Sequence, residues 1–228
     1  TVRARGLRLD SGRFQPEVVE TGPLTGLFAT FDRVARRLLA APPPLGSEAG
    51  RGGPPLAAFE QYVKGLIAGT PQAQVTFLET ALRLHAAYDA ARVALWHSLT
   101  AQGDASRALA AALAVSDRSP LHRRARFMAS LSMIQLKRYD EAFAALQRLA
   151  DQAPSAAVHN NLGVVQLRRG GSAETGSPAY FFSRALDQEP GNSLVQERRM
   201  VRAARAVGDG DDRSPGFLRQ VVHQVSPQ

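Results

Sequence analysis

Apolar residues recur along most of this chain every three or four positions. Leu27, Phe31, Val34, Ala35 and Leu38 follow that spacing and predict a helix over 27 to 39. Ahead of it the pattern changes. Val2, Ala4, Leu7 and Leu9 predict an extended segment turning at Ser11-Gly12-Arg13, and a second extended piece runs from about Phe14 to Glu20. Two strands and one helix cannot enclose a core of their own, so residues 1 to 40 are expected to belong to something larger or to lean on the rest of the chain. From Ala41-Pro42-Pro43-Pro44 to Gly52-Gly53-Pro54-Pro55 the chain can sustain neither helix nor central strand, so residues 41 to 56 read as a linker.

After Leu56 the pattern is wholly helical, with short connections at Gly69-Thr70-Pro71, Gly103-Asp104, Ser119-Pro120, Tyr139-Asp140, Ala153-Pro154 and Glu189-Pro190-Gly191. The spacing of these connections is itself periodic. Ala86, Pro120 and Pro154 stand 34 residues apart, and Pro190 follows 36 residues later. Five positions before each corner lie Ala81, Val115, Leu149 and Ala185; eight before lie Leu78, Ala112, Leu146 and Phe182. Both slots are apolar in every copy, as a repeated helix pair requires.

These residues resemble a tetratricopeptide repeat (TPR) array, whose unit is two antiparallel helices. The fullest copy is Asn160-Asn161-Leu162-Gly163 followed by Phe182, Ala185 and Pro190. Units match over 89 to 122, 123 to 155 and 156 to about 192, and a degenerate one covers about 57 to 88 with Tyr62 and Gly65 in its first helix. The resemblance implies a mainly α fold, an α-α superhelix of TPR hairpins over 57 to 192, preceded by a small two-strand plus helix segment. Each hairpin has an apolar face that only its neighbours can cover. Two departures stand out: position eight of the unit is Trp96 in one copy and Ser130 in the next, and an insertion falls around Gly170-Gly171-Ser172-Ala173-Glu174. Both are expected to loosen local packing without shifting the register.

The end of such a stack must be polar outside. Within residues 193 to 228, a helix over 194 to 207 fits, with Leu194, Val201 and Ala204 inward and Arg198, Arg199, Arg202 and Arg205 in water. Phe217, Leu218, Val221 and Val222 suggest one more short helix over 215 to 225. At the other end, Val2 to Asp10, Ser11-Gly12-Arg13, Thr21-Gly22-Pro23-Leu24, Leu27-Phe28 and Asp32-Arg33-Val34-Ala35 resemble the closing strands and helix of a TolB-like or FlgO-like α/β domain. That resemblance implies a bacterial periplasm or cell-envelope setting, with the cytoplasm as the alternative, and a domain whose first half is not in these residues.

Composition narrows function more than fold. The chain has 228 residues with 44% hydrophobic and 21% charged, ordinary for a folded soluble protein. No run of about 18 apolar residues occurs, so nothing here spans a bilayer as a helix. Thr1-Val2-Arg3 opens no charged-then-apolar leader pattern, so any targeting segment is expected outside these residues. Cysteine is absent, which removes disulfides, thiolate metal sites and a cysteine nucleophile. The net charge of +8 invites a phosphate partner. Yet all the basic residues except Lys64 and Lys137 are arginine, amid abundant Ala, Gly and Pro, a bias that a GC-rich genome also produces.

The sequence carries no recognisable catalytic or cofactor signature. Lys64 precedes Gly65 and Lys137 precedes Arg138, so neither belongs to a phosphate loop. His85, His97, His122, His159 and His223 lack metal-ligand spacing. No Gly-X-Ser-X-Gly elbow occurs and no carboxylate pair stands out from solvated helix charges. The expectation is a chain without catalytic residues, cofactor or metal.

What remains is a binding surface. In the TPR family the concave face is lined by fixed positions of each first helix, which here implies Ala90, Val93, His97, Thr100 and Ala101, then Arg124, Phe127, Leu131, Ile134 and Gln135, then Ala157, Asn160, Val164, Leu167 and Arg168. The mixture suits an extended or helical peptide, unless a neighbouring segment of the chain covers it. The Lys and Asn clamp of chaperone-binding TPRs is missing: Asn160 matches in type, but this face has no lysine. A second candidate is the basic run Arg118, Arg123, Arg124, Arg126, Lys137 and Arg138, which contains no acid and reads either as a solvated face or as a dock for an acidic partner or phosphates. Only Phe127 could stack a base there, so nucleic acid is disfavoured. The expected function is a non-enzymatic scaffold or accessory subunit holding a protein partner, in a multi-subunit or membrane-associated complex. The alternatives are anion or nucleic-acid binding through the arginines, or the sensing arm of an enzyme encoded upstream.

Overall fold

The computed structural model describes residues 1 to 40, 53 to 170 and 176 to 189. The linker stretch 41 to 52, Pro190, the capping helix, the C-terminal tail and all of the insertion read from the sequence except Gly170 lie outside the described residues.

The chain opens with β1 (Val2–Ala4) and β2 (Val18–Glu20), antiparallel in the register Val2↔Glu20, Arg3↔Val19, Ala4↔Val18. A bridge between Leu7 and Phe14 extends the hairpin, and Gly12 takes φ +63° at its tip, where a side chain would be strained. A short 3-10 turn, Leu24–Gly26, leads into α1 (Leu27–Leu39). Strand alternation leaves Arg3 and Val19 exposed, while Val18, with Thr30 and Val34 of α1, is buried. Arg33 and Arg37 of α1 donate to the Glu20 carboxylate at 3.1 and 2.8 Å, tying helix to strand. Three buried residues are a small core, and α1 gains further support where Phe28 meets Phe59 edge-on, with ring centroids 5.0 Å apart.

Phe59 belongs to α2 (Leu56–Ile67), the start of four successive hairpins: α2 with α3 (Pro71–Leu84), α4 (Asp89–Gln102) with α5 (Ala105–Leu113), α6 (His122–Gln135) with α7 (Tyr139–Gln152), and α8 (Ala156–Arg169) with α9 (Pro178–Gln188). From α2 to α9 consecutive helices pack on one another, and α4 also touches α2 and α6. The second helix of three hairpins starts on a side-chain cap: Thr70 accepts from the Ala73 N–H at 3.3 Å, Asp104 from Arg107 at 3.0 Å and Ser177 from Tyr180 at 3.2 Å. Ala86, Pro120 and Pro154 each fall in the connection between one hairpin and the next, where the period places them.

The periodic apolar slots form the core. Leu78, Ala112, Leu146 and Phe182 are all at most 1% exposed, and Ala81, Val115, Leu149 and Ala185 at most 5%. The expectation that Trp96 and Ser130 loosen packing is wrong: both are buried, at 2% and 0% exposure. Each finds a partner inside the stack: the Trp96 indole N–H donates to the Ser132 hydroxyl at 2.9 Å, and the Ser130 hydroxyl donates to the Phe127 carbonyl at 2.6 Å. In the last hairpin Gly163 lies so close to Phe182 that a Cβ would come within 2.6 Å of the ring. The equivalent positions, Ser130 and Leu146 in one hairpin and Trp96 and Ala112 in another, are all buried as well. Gly65 makes room for Leu78 in the same way, its Cβ position lying 2.7 Å from Leu78 Cγ.

Candidate partner-binding face

The first helices α2, α4, α6 and α8 follow one another along the stack, and the proposed contact positions recur along them. The structure sorts the sequence-derived residues by depth. Val93, Leu131, Asn160 and Val164 are buried, at 8%, 5%, 2% and 5% exposure, so they form the floor on which other side chains stand. Thr100, Arg124, Phe127 and Gln135 are half-buried, while His97, Leu167 and Arg168 are exposed. Phe127 rests against the buried core, and Leu167 offers an apolar side chain that is 47% exposed.

His97 and Arg124 come together: Arg124 Nη2 lies 3.5 Å from His97 Nε2, linking α4 to α6 across the hairpin boundary. The His97 ring also stands edge-on to Trp96 at 5.0 Å. Two polar atoms at these positions, Thr100 Oγ1 and Asn160 Oδ1, are buried with no hydrogen-bond partner. The neighbouring Asn161 spends its amide N–H on the Ala157 carbonyl at 2.8 Å, a bond within α8.

The six-residue basic run is not brought together. Arg118, Arg123, Arg124 and Arg126 lie before or within the first two turns of α6, whereas Lys137 and Arg138 follow its last turn, and a helix of this length separates its ends by about 20 Å. Two of the six are also paired. Arg126 reaches Asp117 at 3.2 Å, and Arg138 meets both carboxylate oxygens of Glu141 at 2.6 and 2.7 Å. The latter contact holds the Glu141 carboxyl below its ordinary range and raises the Arg138 guanidinium.

Among the described residues no group of three His, Asp or Glu side chains could share a metal ion, and no helix is long and apolar enough to cross a membrane. His159 is buried at 6% exposure with its Nδ1 3.4 Å from Gln188 Oε1 of α9.

No family model and no curated protein matches this chain. Solved structures do. YrrB, described as a TPR protein with an unusual peptide-binding site, aligns with TM-score 0.52 at 19% identity over 76% of this chain and 81% of its own. A double mutant of MamA RS-1 gives TM-score 0.59 at 17% identity, covering 75% of this chain and 93% of that one. A further MamA structure gives 0.53 at 14% identity, with 72% and 88% covered. The helical hairpins therefore have the TPR fold.

Proposed function

We propose that this chain is a non-enzymatic scaffold that holds a protein segment against the face made by its first helices. The observation carrying this reading is the graded surface of α4, α6 and α8. A buried floor of Val93, Leu131 and Val164 supports half-buried Phe127 and exposed His97, Leu167 and Arg168, an apolar strip with polar edges. Peptide binding named for YrrB supports the same reading by shared fold. The resemblance of residues 1 to 40 to a TolB-like or FlgO-like segment supports an accessory role in a bacterial envelope assembly, with the cytoplasm as the alternative setting.

The test is a photoreactive residue placed at Leu167, compared with one at Leu113 on second helix α5, which is similarly exposed at 42%. Cross-linking in the native host should capture a discrete protein from position 167 and not from 113. Equal capture from both, or capture from 113 alone, overturns the assignment of the face.

A further inference from the structure

The two sets of helices differ in charge. The described first helices α4, α6 and α8 carry six arginines and a single carboxylate, Asp89, whereas the second helices α3, α5, α7 and α9 carry four arginines and five carboxylates. The remaining first helix, α2, is neutral, its Lys64 and Glu60 paired at 2.7 Å. Three of the six arginines are neutralised within the fold: Arg92 by Asp89 at 3.0 Å, Arg126 by Asp117 at 3.2 Å and Arg169 by Asp140 at 2.7 Å. Arg123, Arg124 and Arg168 make no ion pair among the described residues.

Two of these three occupy contact positions of the face, and they bracket its apolar part. Arg124 is in the first turn of α6, three residues before Phe127, and Arg168 is in the last turn of α8, next to Leu167. We infer that the occupant of this face is an acidic, extended protein segment, with an apolar residue between carboxylates that pair with Arg124 and Arg168. This rests on the concave-face reading above and adds the chemistry of the partner. Successive first helices run the same way, so the two arginines, counted from the starts of their helices, are offset along the axis by ten residue positions, about 15 Å. An extended chain covers that in about five residues. Guanidinium groups suit carboxylates because two parallel N–H donors meet two oxygens. A protein is favoured over a nucleic acid because the strip offers one aromatic ring, Phe127, where base stacking needs several.

A random-peptide display library selected against the whole chain tests this. Selection should enrich peptides with Asp or Glu on both sides of an apolar residue. That enrichment should vanish with the double variant Arg124→Glu/Arg168→Glu, and affinity for a selected peptide should fall at least tenfold. Circular dichroism and thermal unfolding unchanged in the variant would show that the fold is intact. A consensus without acidic residues that is nevertheless lost on Leu167→Asp overturns the acidic partner and leaves the face standing. A consensus indifferent to Leu167→Asp, or no consensus, overturns both. A labelled DNA duplex that binds more tightly than the selected acidic peptide, and is displaced steeply by salt, replaces the protein partner with a nucleic acid.

Discussion

The indole N–H of Trp96 in α4 donates to the hydroxyl of Ser132 in α6 at 2.9 Å, with both side chains buried. This bond crosses from one hairpin to the next and satisfies a polar group inside the apolar stack. It joins α4 to α6, the same two helices that bring Arg124 Nη2 to 3.5 Å from His97 Nε2 on the face. A buried aromatic with a polar tip costs little when its donor is met and a good deal when it is not.

Ser132→Ala should therefore lower stability by about 1–3 kcal/mol, the cost of leaving a buried donor unpaired. Urea unfolding followed by the fluorescence of Trp96, the single tryptophan of the chain, reads it directly. A midpoint equal to that of the parent would mean that the indole finds another acceptor.

Gly163→Ala sets two effects against each other. Alanine is favoured over glycine inside a helix by about 1 kcal/mol. The new methyl, however, would lie 2.6 to 2.8 Å from three atoms of the Phe182 ring, and overpacking of that kind costs about 1–3 kcal/mol. The ring is rigid and 0% exposed, so the clash should win and the variant should unfold at lower urea. Phe182→Leu in the same chain should recover part of the loss. Independent, additive effects of the two substitutions would contradict the size compensation between these positions.

How far the sequence could carry this structure depends on whether one column of residues was enough. Helix spacing and the period ending at Ala86, Pro120 and Pro154 could be read because each slot is apolar in its own right. Trp96 does not loosen the stack because its polar partner, Ser132, lies in the next hairpin, where a single repeat unit read by itself does not reach. The basic run suffered from its window. Asp117 lies one residue before it and Glu141 three residues after it, and those two carboxylates neutralise Arg126 and Arg138. On the face, the repeat register named the positions, but depth depends on what the neighbouring helices cover, so Val93 and Asn160 could not be told apart from His97 and Leu167 beforehand. The N-terminal hairpin announced itself by alternation, yet its strands are shorter than the alternation, three residues each.

One connection carries strain that its counterparts avoid. The chain leaves α4 and α8 through Gly103 at φ +80° and Gly170 at φ +69°, and it leaves α6 through Lys137 at φ +61°. Lysine has a Cβ that the left-handed region disfavours. Lys137→Gly should raise stability by about 0.5–1 kcal/mol after allowing for the greater freedom of glycine in the unfolded chain. Lys137→Ala, which keeps the Cβ, should not. A urea midpoint that rises equally in both would assign the gain to lost charge instead.

The two ends of the pH scale should act on different parts of the molecule. Hydrogen bonds from Arg37 and then Arg33 hold the Glu20 carboxyl below its ordinary value. A depressed carboxyl stabilises the fold above the pKa of the unfolded chain and loses that contribution as pH falls through the folded one. Acid should then loosen α1 from β2 first, seen as faster amide exchange in residues 27 to 39, and Glu20→Gln should remove the acid dependence by being loose throughout. Tyr88 behaves in the opposite sense: burial first, and the nearby Tyr62 second, push its phenol up to about 12. A raised phenol keeps its contribution below the unfolded value of about 10 and loses it as pH climbs toward the folded one. Alkaline unfolding of the parent should therefore steepen above about pH 10, and Tyr88→Phe should flatten that limb while leaving neutral-pH stability nearly unchanged. If the two alkaline curves run parallel, the ring of Tyr88 is not the group that resists ionisation against Tyr62, whose centroid lies 5.0 Å away.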